Sequence, residues 1–170
     1  WERCIRYSIA VEYRDGRLPA VLRAQGGPLP EPVVSAIALP VLHGLAYLHR
    51  ERHVIHRDIK AENIFCDGHG AVKIGDMGLS RLLSEKSSHA RTGVGTPLYF
   101  SPEMCEELPY NEKSDVWALG CILFELCQLR PPFMANDMDG LSRAVRTSPV
   151  PRVSSQYSKD LHSLIKKMLS

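Results

Sequence analysis

Residues 116–129 constrain this chain most, because they are apolar on nearly every side of a helix, with Leu119, Ile122, Leu123 and Leu126 at the centre. A helix with no polar face is stable in water only when other elements cover it on most sides. The rest of the chain must therefore wrap around it. At 170 residues the sequence is long enough to build one compact domain on such a scaffold.

The covering elements can be read from periodicity. After the Gly26-Gly27-Pro28 breaker, Val34, Ile37, Val41, Leu45 and Leu48 recur at helical spacing and predict one amphipathic helix reaching about Arg50. Pro40 lies inside it. A proline there removes a backbone hydrogen bond and costs about 3 kcal/mol in an isolated helix, so a kink relieved by packing is expected. Ser158 is a good N-cap for a last helix that puts Leu161, Leu164, Ile165, Met168 and Leu169 on one face. Residues 5–13 alternate and stop at Arg14-Asp15-Gly16, a strand running into a turn. Between 53 and 78 the short runs Val54-Ile55, Ile64-Phe65 and Val72-Lys73-Ile74 read as small strands between loops. Residues 84–95 are polar and serine-containing, and read as an exposed mobile loop. The expected class is α+β, predominantly α-helical.

Charge and cysteine usage narrow the function. A formal net charge of +2 without a long basic run asks for neither nucleic acid nor a membrane surface. Five cysteines, widely spaced and without a CxxC pair, suggest neither a disulfide framework nor a zinc site, so reduced thiols in an intracellular, cytoplasmic setting are expected. No apolar stretch in the sequence reaches the roughly 18 residues needed to span a bilayer. His49 and His53 lie four apart but not in the order of a zinc-hydrolase motif.

The chemistry sits in ordered blocks. His56-Arg57-Asp58-Ile59-Lys60-Ala61-Glu62-Asn63 falls on a loop between a helix and a short strand. Phosphoryl transfer needs a carboxylate to take a hydroxyl proton, a cation near the phosphate and oxygen ligands for Mg²⁺. Asp58, Lys60 and Asn63 supply these within one loop. Alone, such a cluster is often only a solvated turn. Here it is followed by Lys73-Ile74-Gly75-Asp76-Met77-Gly78, where a strand delivers a second carboxylate, then by Gly95-Thr96-Pro97-Leu98-Tyr99-Phe100-Ser101-Pro102-Glu103 and by Ser114-Asp115-Val116-Trp117.

In order and spacing these blocks resemble the signature set of eukaryotic protein kinases of the serine/threonine class, and their wording is most similar to the NIMA-related branch. The resemblance implies a protein kinase-like fold, with this chain as a partial kinase domain over 1–170. It would be the large C-terminal lobe with the small N-terminal lobe largely missing. It would have a hinge at 11–16, a catalytic loop at 56–63, an activation segment at 76–103 and a buried central helix at 114–129. It implies Asp58 as catalytic base and Lys60 as the cation beside it, with Asn63 and Asp76 as ligands of Mg²⁺. ATP would be held by backbone groups of Glu12 and Arg14, above Phe65 as the floor under adenine. Lys60 two places after Asp58, together with Thr96 and Pro97, implies a protein serine or threonine as acceptor. Arg57 beside Asp58 implies control by phosphorylation of the activation segment, with Thr92 the best-placed acceptor and Ser87 and Ser88 next. Thr96 and Glu103 would belong to the peptide-docking segment, and Asp115 would brace the catalytic loop.

The sequence also departs from the family pattern. Met77 stands where phenylalanine is usual, and Ser101 where alanine is usual. Glu103 lacks the arginine that normally pairs with it, so a looser docking segment is expected. No glycine-rich loop, strand lysine or helix glutamate occurs in the 170 residues, so the polypeptide alone is expected to be inactive. The rival reading is a non-catalytic pseudokinase-like scaffold, against which the joint presence of Asp58, Lys60, Asn63 and Asp76 argues. A small-molecule kinase of the same fold would not need a peptide-docking segment. Substrate identity, regulatory partners and oligomeric state are not readable from these residues.

Overall fold

The central helix is α4 (Glu112–Gln128), and twelve of its residues are buried, from Ser114 to Cys127. It starts where Asn111 caps it, the side-chain oxygen accepting from the Lys113 N–H at 2.9 Å. It ends at Leu129, whose φ of 57° turns the chain left-handed after the N–H has bonded to Glu125 O. In this computed structural model residues 16–67, 69–77, 81–82, 98–109 and 111–170 are described, 81–82 by backbone alone. The expected strand at 5–13, the hinge over 11–15 and the loop at 84–95 lie outside them.

Around α4 stand α1 (Leu18–Gln25), α2 (Glu31–Ala46), α3 (Pro102–Cys105), α5 (Met138–Thr147) and α6 (Lys159–Met168). The helix α2 buries Val34, Ile37, Ala38, Val41 and Leu45, four of which the periodicity had marked, against α4 and β3. It runs on into a π-helical turn, Tyr47–Glu51. Taken together Glu31–Glu51 is long and apolar enough to cross a membrane by length and composition, contrary to the sequence expectation; Pro40 and the small residues dilute but do not break its apolar character. Its buried face is part of the domain core.

The helix α6 is capped as expected, Ser158 Oγ accepting from the Leu161 N–H at 3.1 Å, and it buries Leu161, Ile165 and Met168. It crosses α4 at Gly120, where an added Cβ would stand 2.9 Å from Met168 Cβ. Besides the single turn α3, two helices were not anticipated. The first, α1, has Pro19 in its first turn and ends at Gly26 with φ 67°, both legible helix signals, but it is only 8 residues long. The second, α5, is capped by Asp137 and has a glycine in its first turn, with only Leu141 and Val145 buried.

Four short strands complete the described fold: β1 (Val54–Ile55), β2 (Ile64–Cys66), β3 (Val72–Ile74) and β4 (Arg81–Leu82). They form two antiparallel ribbons, β1 with β4 and β2 with β3. The 56–63 loop leaves β1 and enters β2, so the ribbons bracket it. A predominantly helical α+β architecture with small strands confined to the loop region is what the sequence called for.

Candidate active site

The backbone of the 56–63 loop is held from beneath by one carboxylate. Asp115 in the first turns of α4 accepts the His56 N–H through Oδ2 at 2.8 Å and the Arg57 N–H through Oδ1 at 2.9 Å. His49 Nε2 adds a third bond to Oδ2 at 2.8 Å. Such bonds are needed because Arg57 has φ 74°, a left-handed conformation that costs a non-glycine residue about 1–2 kcal/mol. Bonds from N–H groups to a buried charged acceptor are strong enough to offset that strain.

His56 is fully buried and ties the loop to the next block. Its Nε2 donates to Gly75 O at 3.1 Å, which leaves Nδ1 with the lone pair that accepts the Asp58 N–H at 3.3 Å. Both bonds suit one neutral tautomer. Burial holds the imidazole below its ordinary pKa, opposed by the nearby charge of Asp115, the Gly75 carbonyl and the charges of Asp58 and Asp76.

Three of the four residues singled out for chemistry are interlocked or adjoining, and the fourth is one step away. Lys60 Nζ lies 2.7 Å from Asp58 Oδ2, and Asn63 Nδ2 donates to the same oxygen at 2.9 Å and to Asp58 O at 2.8 Å. Oδ1 of Asp58 has no bond among the described residues. Asp76 arrives by the β2–β3 pairing: Ile64 faces Ile74, and the Gly75 N–H donates to Asn63 O at 2.9 Å, which sets Asp76 at the same end of the ribbon as Asn63. Asp76 is exposed, with φ 60°.

These residues fit a divalent cation of the hard, oxygen-seeking kind. The amide hydrogens of Asn63 are used on Asp58, so its Oδ1 is the atom left to act as a ligand, and Asp76 adds an exposed carboxylate. Among the described residues no group of three or more His, Cys, Asp or Glu could hold a metal by itself. Mg²⁺ is typically held by one or two carboxylates, with waters and substrate phosphates completing its shell.

Phe65 stands on β2 with its ring against Gly75, where an added Cβ would come within 2.6 Å of Cε2. The guanidinium of Arg17 sits 5.9 Å from the ring centroid. Next to it, burial and the charge of Asp67 push the Cys66 thiol up, away from a reactive thiolate.

On the other side of α4 lies the 98–103 segment. Tyr99 donates its hydroxyl to Glu125, and Glu103 Oε1 accepts from Ser114 Oγ at 2.5 Å. Glu103, for which the sequence offered no arginine, has a partner inside the chain all the same, a buried hydroxyl whose contact no spacing rule could show. Glu12, Arg14, Thr92 and Thr96 lie outside the described residues. His49 was missed as a member of this network. Its spacing from His53 drew attention to metals, whereas its partner is 66 positions away.

The protein kinase domain family matches residues 1–170, and the chain belongs to that family. It is similar to mouse serine/threonine-protein kinase Nek3, 42% identical over 163 residues, covering 95% of this chain and 32% of that protein. Human Nek5 is 40% identical over 166 residues, covering 96% of this chain and 23% of its own, and human Nek2 39% over 170, covering 95% and 38%. All are named serine/threonine-protein kinases, in agreement with the NIMA-related wording of the motifs. The chain spans only 23% to 38% of the length of these curated relatives.

Proposed function

We propose that the protein containing this chain transfers the terminal phosphoryl group of ATP to serine or threonine hydroxyls of protein substrates. The observation that supports it most is the convergence of Lys60 and Asn63 on a single oxygen of Asp58. One carboxylate oxygen is tied down, and the other is left to accept the proton of an incoming hydroxyl. Lys60, beside Asp58, sits where a cation can meet the charge on a transferring phosphate. Asn63 and Asp76 would hold Mg²⁺, which neutralises phosphate charge when bound. Phe65 would lie under the adenine, with backbone groups of Glu12 and Arg14 bonding its edge.

Control by phosphorylation belongs to the same proposal, with Thr92 as the acceptor, Arg57 as the group that orders the segment around the phosphate, and Thr96 in peptide docking. The 170-residue polypeptide by itself is proposed not to transfer phosphate, since the groups that roof ATP are not in its sequence. Free thiols at Cys66, Cys105, Cys121 and Cys127 support an intracellular, cytoplasmic setting. The low net charge supports a protein substrate without nucleic-acid or membrane partners.

The test is transfer from ATP to a serine peptide by the full-length protein and by its Asp58→Asn variant. General-base loss predicts a fall in kcat of about 10²–10⁴-fold. Equal rates in the two proteins would overturn the role of Asp58, and no transfer by the unmodified protein would overturn the activity.

A further inference from the structure

Ser114 and Asp115 are consecutive residues in the first turn of α4, and their side chains serve two different segments. Asp115 carries the backbone of His56 and Arg57. Ser114, 3% exposed, donates Oγ to the Glu103 carboxylate. Eleven residues further along the same helix, about 16 Å at 1.5 Å per residue, Glu125 accepts the Tyr99 hydroxyl. Tyr99 and Glu103 are only four residues apart and meet the helix in reverse order. The 99–103 segment therefore runs antiparallel to α4, tied at both ends.

The Glu103 end also packs against α5 and sets Cys105 against the core, but it has few directional bonds to fix its register. α3 is a single short turn, and its N-cap Ser101 makes no side-chain capping bond. The nearby ion pair of Glu106 with Arg146 is solvent-exposed, and such pairs contribute little. The bond from Ser114 is different in kind, a buried hydroxyl donating to a half-buried carboxylate, and charge-assisted bonds of this sort are stronger than neutral ones.

The geometry points to Ser114 as a positioning residue for peptide substrate: through Glu103 it sets the register of the docking segment against the 56–63 loop, both being hung from adjacent residues of one rigid helix. This rests on the phosphotransferase reading above. It adds that the helix start fixes where an acceptor hydroxyl arrives relative to Asp58. Loss of the Ser114 hydroxyl weakens peptide engagement and leaves the nucleotide side, held by Asp115 and the β2–β3 ribbon, as it was.

The experiment uses the full-length protein with ATP, Mg²⁺ and a serine peptide, comparing wild type, Ser114→Ala, Ser114→Thr and Ser114→Ala combined with Glu103→Ala. Loss of one charge-assisted bond predicts a rise in peptide KM of about tenfold in Ser114→Ala, with the KM for ATP unchanged. Ser114→Thr, which keeps the hydroxyl, returns the value to within about twofold, and Glu103→Ala adds nothing further. Amide hydrogen exchange over 98–105 gives a readout independent of activity: it is faster in Ser114→Ala and restored in Ser114→Thr. An unchanged peptide KM with unchanged exchange overturns the inference. So does a parallel rise in both KM values that threonine does not reverse, the mark of general destabilisation. Absence of transfer by the wild type instead defeats the phosphotransferase reading, and hydrogen exchange then decides the tether alone.

Discussion

Asp115 Oδ1 accepts the backbone N–H of Arg57 at 2.9 Å, joining the start of the buried helix to a loop residue 58 positions earlier in the chain. The same carboxylate serves His56 and His49. Replacing it by asparagine would turn one acceptor into a donor facing another donor. Asp115→Asn is expected to lose about 3 kcal/mol of stability, the scale of a buried charged acceptor removed from its donors. The check is urea unfolding with linear extrapolation at neutral pH, with an unchanged m-value showing that the transition stays cooperative.

Lys60 separates chemistry from stability. Its ion pair with Asp58 is partly solvated, the two side chains being 38% and 22% exposed, so its structural contribution should be within about 1 kcal/mol. Under the proposed role, Lys60→Ala lowers kcat by at least about tenfold while the melting temperature moves little. Kinetics and calorimetry on one preparation decide it. A large drop in melting temperature would make Lys60 a structural residue.

Ser101 illustrates a buried group without a partner. The residue is 1% exposed, and its buried Oγ bonds to nothing among the described residues. An unsatisfied buried hydroxyl is a net cost, so Ser101→Ala is expected to stabilise the protein by about 1 kcal/mol. Denaturant unfolding measures this, and destabilisation would mean that the hydroxyl has a partner after all.

Glu31 supplies an acid-side dependence. Hydrogen bonds from the Ser158 side chain and backbone hold its carboxyl below the ordinary glutamate value of 4.5. A carboxyl with a depressed folded-state pKa contributes stability that is present above 4.5 and lost as pH falls through the folded value. The difference in melting temperature between wild type and Glu31→Gln should therefore be constant above 4.5 and shrink below it. A difference that stays constant through the acid range would show that ionisation of Glu31 plays no part.

The helices legible in the sequence were those with a strong apolar signature. α4 is apolar all round, α2 repeats Val34, Ile37, Val41 and Leu45, and α6 has Ser158 at its cap. α1 was not legible because it buries Leu18 alone, too little to impose a period, whereas α5 does space Leu141 and Val145 helically behind the Asp137 cap but is short and polar in composition. Tertiary cover stabilises them more than their own pattern does. In the candidate site, the nearness of Asp58, Lys60 and Asn63 followed from their spacing, since five residues of loop cannot separate them far. The joining of His49, Ser114 and Asp115 to that site could not be read this way.

By itself the sequence determined which short segments would carry charge, amide and hydroxyl groups in one loop, and which helix had to be covered on every side. Both are local properties, set by residue type and by period along the chain. The motif resemblance already pointed to Asp115 as the brace of the loop; only the tertiary structure decided that its neighbour Ser114 would reach Glu103, so that one helical turn meets two remote segments. The physical reason is that a hydrogen bond between distant residues depends on how whole helices pack, and packing is the sum of many apolar contacts that no single motif encodes.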